Sequence, residues 1–215
     1  MNSTKKAIFD SAIKIFSAKG YNEAIMDEIA QNAGVAKGTL YYHFKSKEEI
    51  FSFIISEGLK SMKEDTIMQI EKEDNDVSRL RVFCLTQLNL ANEHKDFIKV
   101  VISQLWGENA RHLELRKEMW EYAKGIEIYV KMAIDKKLIK DDNTYLLSCN
   151  ILGTVFSLAV HEIIKKDKHT RYENGVVTEG FGTEHTYDIE KVMENLLNGI
   201  GVQVPKSVGT VNDYN

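Results

Sequence analysis

Residues 26–45 contain three positions whose identity and spacing constrain the local fold. Ala30 is small enough to let two helices approach closely, and Gly34 can adopt the positive φ of a tight turn. Leu40 can pack a second helix onto the first. A helix-turn-helix requires this spacing, so we predict one here, with its second helix free to enter the major groove of DNA.

The second helix of this motif runs from about Lys37 to Phe44 and has two distinct faces. Spacings of i, i+3 and i+4 place three side chains on the packing face: Leu40, Tyr41 and Phe44. The other face carries Thr39, Tyr42 and His43. One face is therefore expected to join the core while the other stays available to a groove.

The segment from residue 37 to residue 47 has no acidic residue, and the first one after it is Glu48. It holds three lysines, one histidine, two tyrosines and a threonine, which suit phosphates and base edges. We predict that the DNA contacts come from Lys37, Gly38, Thr39, Tyr41, Tyr42, His43, Lys45 and Lys47.

The next helix is predicted to begin at a capping box. In Ser46-Lys47-Glu48-Glu49, the Ser46 hydroxyl and the Glu49 carboxylate can each accept a hydrogen bond from a backbone N–H that the helix leaves unpaired. The amino end of a helix also attracts anions, so we expect this corner, with Lys45 and Lys47, to hold a DNA phosphate.

These motifs together resemble a known family. Ile29-Ala30, Ala33-Gly34-Val35, the run from Lys37 to Phe44, and Ser46-Lys47-Glu48 are similar to the DNA-binding domain of the TetR family of bacterial repressors. The resemblance covers about the first 55 residues, including Gly20-Tyr21 at the end of the first helix. It implies a regulator that binds a double-stranded DNA operator.

Two positions depart from the family pattern, because Ile25 and Ala36 stand where the helix caps are usually Ser or Thr. A missing cap costs about 0.5–2 kcal/mol, and the family's hydroxyls often touch phosphates as well. We therefore expect weaker backbone anchoring at these points. The departures leave an alternative open, a protein of the same fold that acts through a protein partner without specific DNA binding.

The rest of the chain is predicted to be helical. Pro205 is the single proline among 215 residues, so almost nothing interrupts helices through residue 200. We predict an all-α fold with an N-terminal three-helix domain at 1–47, a larger helical ligand-binding and dimerisation domain at 48–201, and a disordered tail at 202–215. The predicted helices outside the motif are 4–18, 47–71, 76–92, 95–106, 110–136, 142–167 and 188–200.

Charge is unevenly distributed along the chain. The net charge is -4, yet residues 1–63 hold nine Lys against seven Asp or Glu. A positive surface on an acidic protein is compatible with selective DNA binding. Cys84 and Cys149 are far apart in apolar surroundings, so we expect buried free thiols in a reducing cytoplasm. We find no secretion signal and no membrane-spanning stretch.

The segment 142–167 is apolar over much of its circumference, which implies a second partner face. Gly153 and Ser157 would let another helix come close. In the family, the last two long helices form a dimeric four-helix bundle, so we expect a homodimer and a nearly palindromic operator. The predicted interface residues are Leu152, Gly153, Phe156, Val160, Val192, Leu196 and Leu197.

The larger domain contains many aromatic and methionine side chains, which suit a small apolar effector. The candidates are Phe83, Phe97, Trp106, Met119, Trp120, Tyr122, Tyr129, Met132, Phe156 and His161. As pocket residues we single out Phe83, Trp106, Trp120, Tyr129, Phe156 and His161. The run 104–116 resembles family members that respond to fatty acyl compounds. In a dimer, the second helix of each helix-turn-helix would contact one half of the operator. An effector that changes the distance between these two helices would release the protein from the operator.

An enzyme is the competing class of function, and the sequence offers it no support. There is no phosphate-binding loop and no GxSxG motif. His161-Glu162 lacks a second histidine four residues on, where Lys165 stands. We therefore predict no catalytic residues, no metal site and no cofactor.

Overall fold

The computed structural model describes residues 1–137 and 143–166 and the isolated positions 191 and 195. Within these residues the chain forms helices and no strand, which confirms the all-α prediction. The helices are α1 (Ser3–Lys19), α2 (Met26–Asn32), α3 (Lys37–His43), α4 (Lys47–Ile70), α5 (Asp76–Glu93), α6 (Lys95–Ser103), α7 (Ala110–Asp135) and α8 (Thr144–Lys166).

The observed helices follow the predicted ones closely, with one clear difference in α6. This helix ends at Ser103, three residues before the predicted end, because the chain turns toward Gly107 and α7. Apart from the two isolated positions, the predicted helix 188–200 lies outside the described residues, as does the predicted tail at 202–215.

The helix-turn-helix has the predicted geometry. Gly34 has a φ of 66°, a conformation that L side chains rarely adopt. The N–H of Val35 donates to the carbonyl of Ala30 over 3.0 Å and closes the turn between α2 and α3. Ala30 and Leu40 are buried, and the Ser11 hydroxyl donates to the carbonyl of Ile29 over 2.8 Å, which holds α1 against α2.

Two apolar clusters form the core of the described residues. The first joins the three N-terminal helices to α4, α6 and the start of α7, and its members include Ile8, Phe16, Leu40, Phe97 and Leu115. The second is formed by the far end of α4 with α5, α7 and α8. The first cluster thus crosses the predicted boundary at residues 47 and 48, and that boundary stays a prediction.

Two side chains are more exposed than the sequence predicted. Helical spacing predicts Tyr41 on the packing face, but it is 37% exposed because it lies one residue, or 100°, around the helix from the fully buried Leu40. The sequence predicts a buried Cys149, but this side chain on α8 is exposed, whereas Cys84 is buried as predicted. In the described part of the chain, no helix combines the length and apolarity that a membrane span needs.

Candidate DNA-contacting surface and effector cavity

The outer face of α3 presents the aromatic and polar side chains that the sequence predicted for DNA contact. Tyr42 is 77% exposed, and its ring lies 5.1 Å from that of His43, edge to face. Thr39 and His43 are half-buried at the margin of this face, and Gly38 is exposed. The face is therefore open to a partner, and its DNA contacts stay a prediction.

The three predicted lysines have intramolecular partners in this structure. Lys37 donates to Asp27 Oδ2 over 2.7 Å, and this carboxylate raises the pKa of the lysine. The Lys45 ammonium donates to the carbonyl of Tyr41 over 2.9 Å. Lys37 and Lys45 lie at the surface and can exchange these partners for phosphates at small cost.

Lys47 is held differently from the other two lysines. Its ammonium donates to the carbonyl oxygens of Asn22 and Ala24, over 3.0 and 2.8 Å, in the turn between α1 and α2. It also lies 4.6 Å from the centre of the Tyr21 ring. Lys47 therefore fixes the turn that positions α2, a role that its place in the basic run did not reveal.

The caps at the starts of α2, α3 and α4 agree with the prediction, except that one hydrogen bond at α4 is shifted by one residue. Ile25 and Ala36 make no side-chain cap to α2 and α3. The Ser46 hydroxyl accepts from the N–H of Glu49 over 3.2 Å, as predicted. The Glu49 carboxylate accepts from the N–H of Lys45 over 2.7 Å, one residue before the N–H that a capping box uses.

Tyr21 joins the N-terminal helices to the larger half of the molecule. The guanidinium carbon of Arg111, at the start of α7, lies 4.0 Å from the centre of its ring. The Tyr21 hydroxyl donates to Glu48 Oε1 over 2.7 Å. Burial and this carboxylate raise the pKa of Tyr21, and the same hydrogen bond lowers the pKa of Glu48. Sequence reasoning missed Arg111 because no local pattern links residues 90 positions apart.

An apolar cavity of about 310 Å³ lies between α4, α5, α6, α7 and α8. Its described lining consists of Leu59, Met62, Gln87, Ala91, Phe97, Ile98, Val101, Ile102, Leu105, Met119, Tyr122, Ala123, Leu152, Gly153, Val155 and Phe156. We call it the effector cavity. Of the six predicted pocket residues, Phe156 lines it.

Gln87 and Tyr122 are the polar side chains in this described lining. The Tyr122 hydroxyl donates to Gln87 Oε1, and Gln87 Nε2 donates to Thr66 Oγ1 over 2.8 Å. Burial raises the pKa of Tyr122 to about 12. No sequence pattern singles out Gln87, because a glutamine in a helix is ordinarily exposed.

The other predicted pocket residues lie elsewhere. Phe83 and Tyr129 border a smaller cavity of about 170 Å³ between α4, α5 and α7, and Trp120 borders an outer groove between α7 and α8. Trp106 is 84% exposed in the loop before α7. His161 is half-buried on α8 and is not among the residues that line these three sites.

The predicted dimer face on α8 is partly shared with the effector cavity. Leu152, Gly153 and Phe156 line the cavity, yet Gly153 and Phe156 are also exposed. A Cβ at Gly153 would meet nothing within 4 Å, so another helix has room to approach there. Val160 is half-buried, and the side chains of Val192, Leu196 and Leu197 lie outside the described residues.

Comparison with known proteins agrees with this geometry. The family model for bacterial regulatory proteins of the tetR family matches residues 8–53, the segment that carries the helix-turn-helix. Among solved structures, a candidate fatty acid metabolism regulator from Clostridium perfringens is 39% identical with a TM-score of 0.73. That alignment covers 92% of this chain and 100% of the other.

Two further relatives come from Bacillus subtilis. Its fatty acid metabolism regulator protein is 29% identical over 119 residues, which are 55% of this chain and 59% of that protein. The crystal structure of the regulator FadR in complex with stearoyl-CoA has a TM-score of 0.71 at 22% identity, covering 91% of this chain and 98% of the other, and shows the shared fold.

The chain spans 37%, 31% and 59% of the length of the first three curated relatives that it matches, all of them regulators. The alignment with the Clostridium perfringens protein, by contrast, extends over the whole of that structure. The match therefore includes the helices around the cavity as well as the helix-turn-helix. This chain belongs to the tetR family of bacterial transcriptional regulators.

Proposed function

We propose that this protein is a cytoplasmic repressor that binds a nearly palindromic operator as a homodimer and is released by a small apolar effector. The proposal depends most on one observation, an apolar cavity bordered by α4, the helix that begins beside the recognition helix α3. In this proposal, a single helix connects the ligand site to the DNA-contacting surface.

We propose that Tyr42, Thr39 and His43 face the DNA bases, while Lys37, Lys45, Gly38 and Tyr41 contact the backbone. Lys47 contributes mainly through the turn that it holds. Two copies of α3 can read successive major grooves when they lie about 34 Å apart. An effector that changes this separation prevents both copies of α3 from binding at once, and the affinity gained from the second contact is lost.

We propose a fatty acyl chain as the effector. The cavity volume of about 310 Å³ lies at the lower end of the range for small-molecule sites, about 300–1,000 Å³, and its lining is almost entirely aliphatic or aromatic. The names of the Clostridium perfringens and Bacillus subtilis relatives, and the stearoyl-CoA bound to FadR, support this class.

Fluorescence anisotropy with a labelled duplex from the promoter next to the protein's own gene tests the proposal. We expect saturable binding that weakens steeply with salt, because lysines displace counterions from phosphates. Addition of dodecanoyl-CoA should release the duplex, whereas CoA alone should not. Absence of binding to every such duplex at low ionic strength would refute the repressor assignment.

Two observations favour a second candidate, a protein partner in place of specific DNA. The caps of α2 and α3 lack hydroxyls, and the Lys47 ammonium is occupied by backbone carbonyls. This candidate requires the same α3 face to be a protein interface. A scrambled duplex added to the anisotropy experiment separates the two candidates. The second candidate predicts equal affinity for the promoter duplex and the scrambled duplex, whereas the repressor should prefer the promoter duplex.

A further inference from the structure

The effector cavity has a polar corner made by three hydrogen-bonded side chains on three helices. The Tyr122 hydroxyl of α7 donates to Gln87 Oε1 of α5, and Gln87 Nε2 donates to Thr66 Oγ1 of α4 over 2.8 Å. The Thr66 hydroxyl then donates to the carbonyl of Met62 over 2.6 Å. Gln87 is 3% exposed, so its amide lies inside the protein with one edge on an apolar cavity.

Gln87 has a hydrogen-bond donor beyond those that the corner uses. A glutamine amide carries two N–H groups, and one of them is used by Thr66. A buried N–H that lacks an acceptor destabilises the state that contains it. When a ligand displaces water from the cavity, the second N–H therefore favours a ligand that brings its own acceptor atom to this corner.

The described lining also restricts the charge of that acceptor. It contains no Lys, Arg or His, and the raised pKa of Tyr122 keeps its hydroxyl neutral. An ionised carboxylate in this cavity would lose its hydration without gaining a counter-charge, which is strongly unfavourable. A carbonyl oxygen of an ester or a thioester accepts the same hydrogen bond without carrying a charge.

We infer that Gln87 recognises a neutral carbonyl oxygen of the effector, so that the cavity selects acyl esters or thioesters over free fatty acids and over chains that lack the carbonyl. This inference rests on the proposed effector cavity and adds a residue that determines specificity within it. Tyr122 and Thr66 position the Gln87 amide by fixing which edge carries the oxygen and which the nitrogen.

The test compares two probes that differ in one group, dodecanoyl-CoA and its thioether S-dodecyl-CoA, in which a methylene replaces the carbonyl. Both are titrated into the complex of full-length protein with its operator, and isothermal calorimetry gives their affinities for the free protein. We expect the thioester to act at concentrations at least about fivefold lower, because the thioether leaves the Gln87 donor unpaired. Gln87→Leu should abolish this preference.

Two variants and a third probe control the experiment. Met119→Leu changes the same cavity without a polar group, so both affinities should shift together and their ratio should persist. Should Gln87→Leu unfold, the double variant Gln87→Leu with Tyr122→Phe removes both partners of one hydrogen bond and should restore folding. Sodium dodecanoate should bind at least about tenfold more weakly than the thioester.

The outcomes separate this inference from the proposed function. Equal affinities of the wild-type protein for thioester and thioether, or equal action of dodecanoate, would overturn the role of Gln87 and leave the acyl effector in place. Persistence of the preference in Gln87→Leu would overturn it as well. If neither CoA derivative binds the protein, the effector assignment itself fails, and the inference falls with it.

Discussion

Gly58 offers a sharp test of how closely α4 packs against α6. A Cβ at this position would lie 2.5 Å from Cε2 and Cζ of Phe97, whereas ordinary van der Waals contact begins at 3.4 Å. Gly58→Ala therefore requires the Phe97 ring to move by about 1 Å. Phe97 lines the effector cavity, so we expect the ring to move into that space.

Two opposing contributions set the stability of Gly58→Ala. Alanine is more favourable than glycine in a helix by about 0.8–1.0 kcal/mol. Overpacking of a core typically costs about 1–3 kcal/mol. We expect a net loss of up to about 2 kcal/mol in the free energy of unfolding, measured by urea denaturation.

The same variant should weaken ligand binding, because the displaced ring occupies cavity space. Loss of room for one methylene group corresponds to about 0.8 kcal/mol, or about a fourfold lower affinity for dodecanoyl-CoA. Gly125→Ala is the matched control, since a Cβ there would meet nothing within 4 Å. Gly125→Ala should raise the free energy of unfolding by up to about 1 kcal/mol and leave the affinity for the ligand unchanged. If Gly58→Ala behaves like this control, the contact between Gly58 and Phe97 is looser than the structure shows.

Three further variants test separate parts of the molecule. Tyr42→Ala should reduce operator affinity at least about fivefold in anisotropy titrations with unchanged circular dichroism, and unaltered affinity would remove Tyr42 from the DNA surface. Gly153→Leu should weaken subunit pairing, so an undiminished dimer in analytical sedimentation would contradict the α8 interface. Asp76, whose pKa is lowered mainly by Lys136 and then by Arg79, should stabilise the protein at neutral pH relative to Asp76→Asn. This difference should be lost as the pH falls below about 4, and persistence there would disprove the ion pairs.

Local patterns predicted the helix-turn-helix because its determinants are close in sequence. Each of these features depends on neighbours within a few residues: the turn at Gly34, the packing of Leu40 and the helix cap at Ser46. Tyr41 shows the limit of this reasoning, because it lies 100° around the helix from Leu40, at the margin of the packing face, and is 37% exposed. The helices of the larger half were predicted for the same local reason.

The cavity could not be located from the sequence, because its walls come from five helices whose relative positions depend on long-range packing. Trp106 and Trp120 looked suitable by residue type, yet one is in an exposed loop and the other borders an outer groove. Gln87 looked unsuitable by residue type, and its hydrogen-bond partner Tyr122 lies 35 residues away in the sequence. Chemical character alone does not say which face of a helix a neighbour covers.

The N-terminal helices are joined to the helices around the cavity by contacts of two kinds, polar and apolar. The polar contacts include the Arg111 guanidinium over the Tyr21 ring and the hydrogen bond that the Ser17 hydroxyl donates to Asp96 over 2.8 Å. Each of them can be exchanged for contacts with water at a cost of about 1 kcal/mol. The apolar cluster that contains Phe97 cannot separate without exposing its core. Because Phe97 also lines the cavity, we expect a ligand that displaces it to shift this shared core together with the recognition helix.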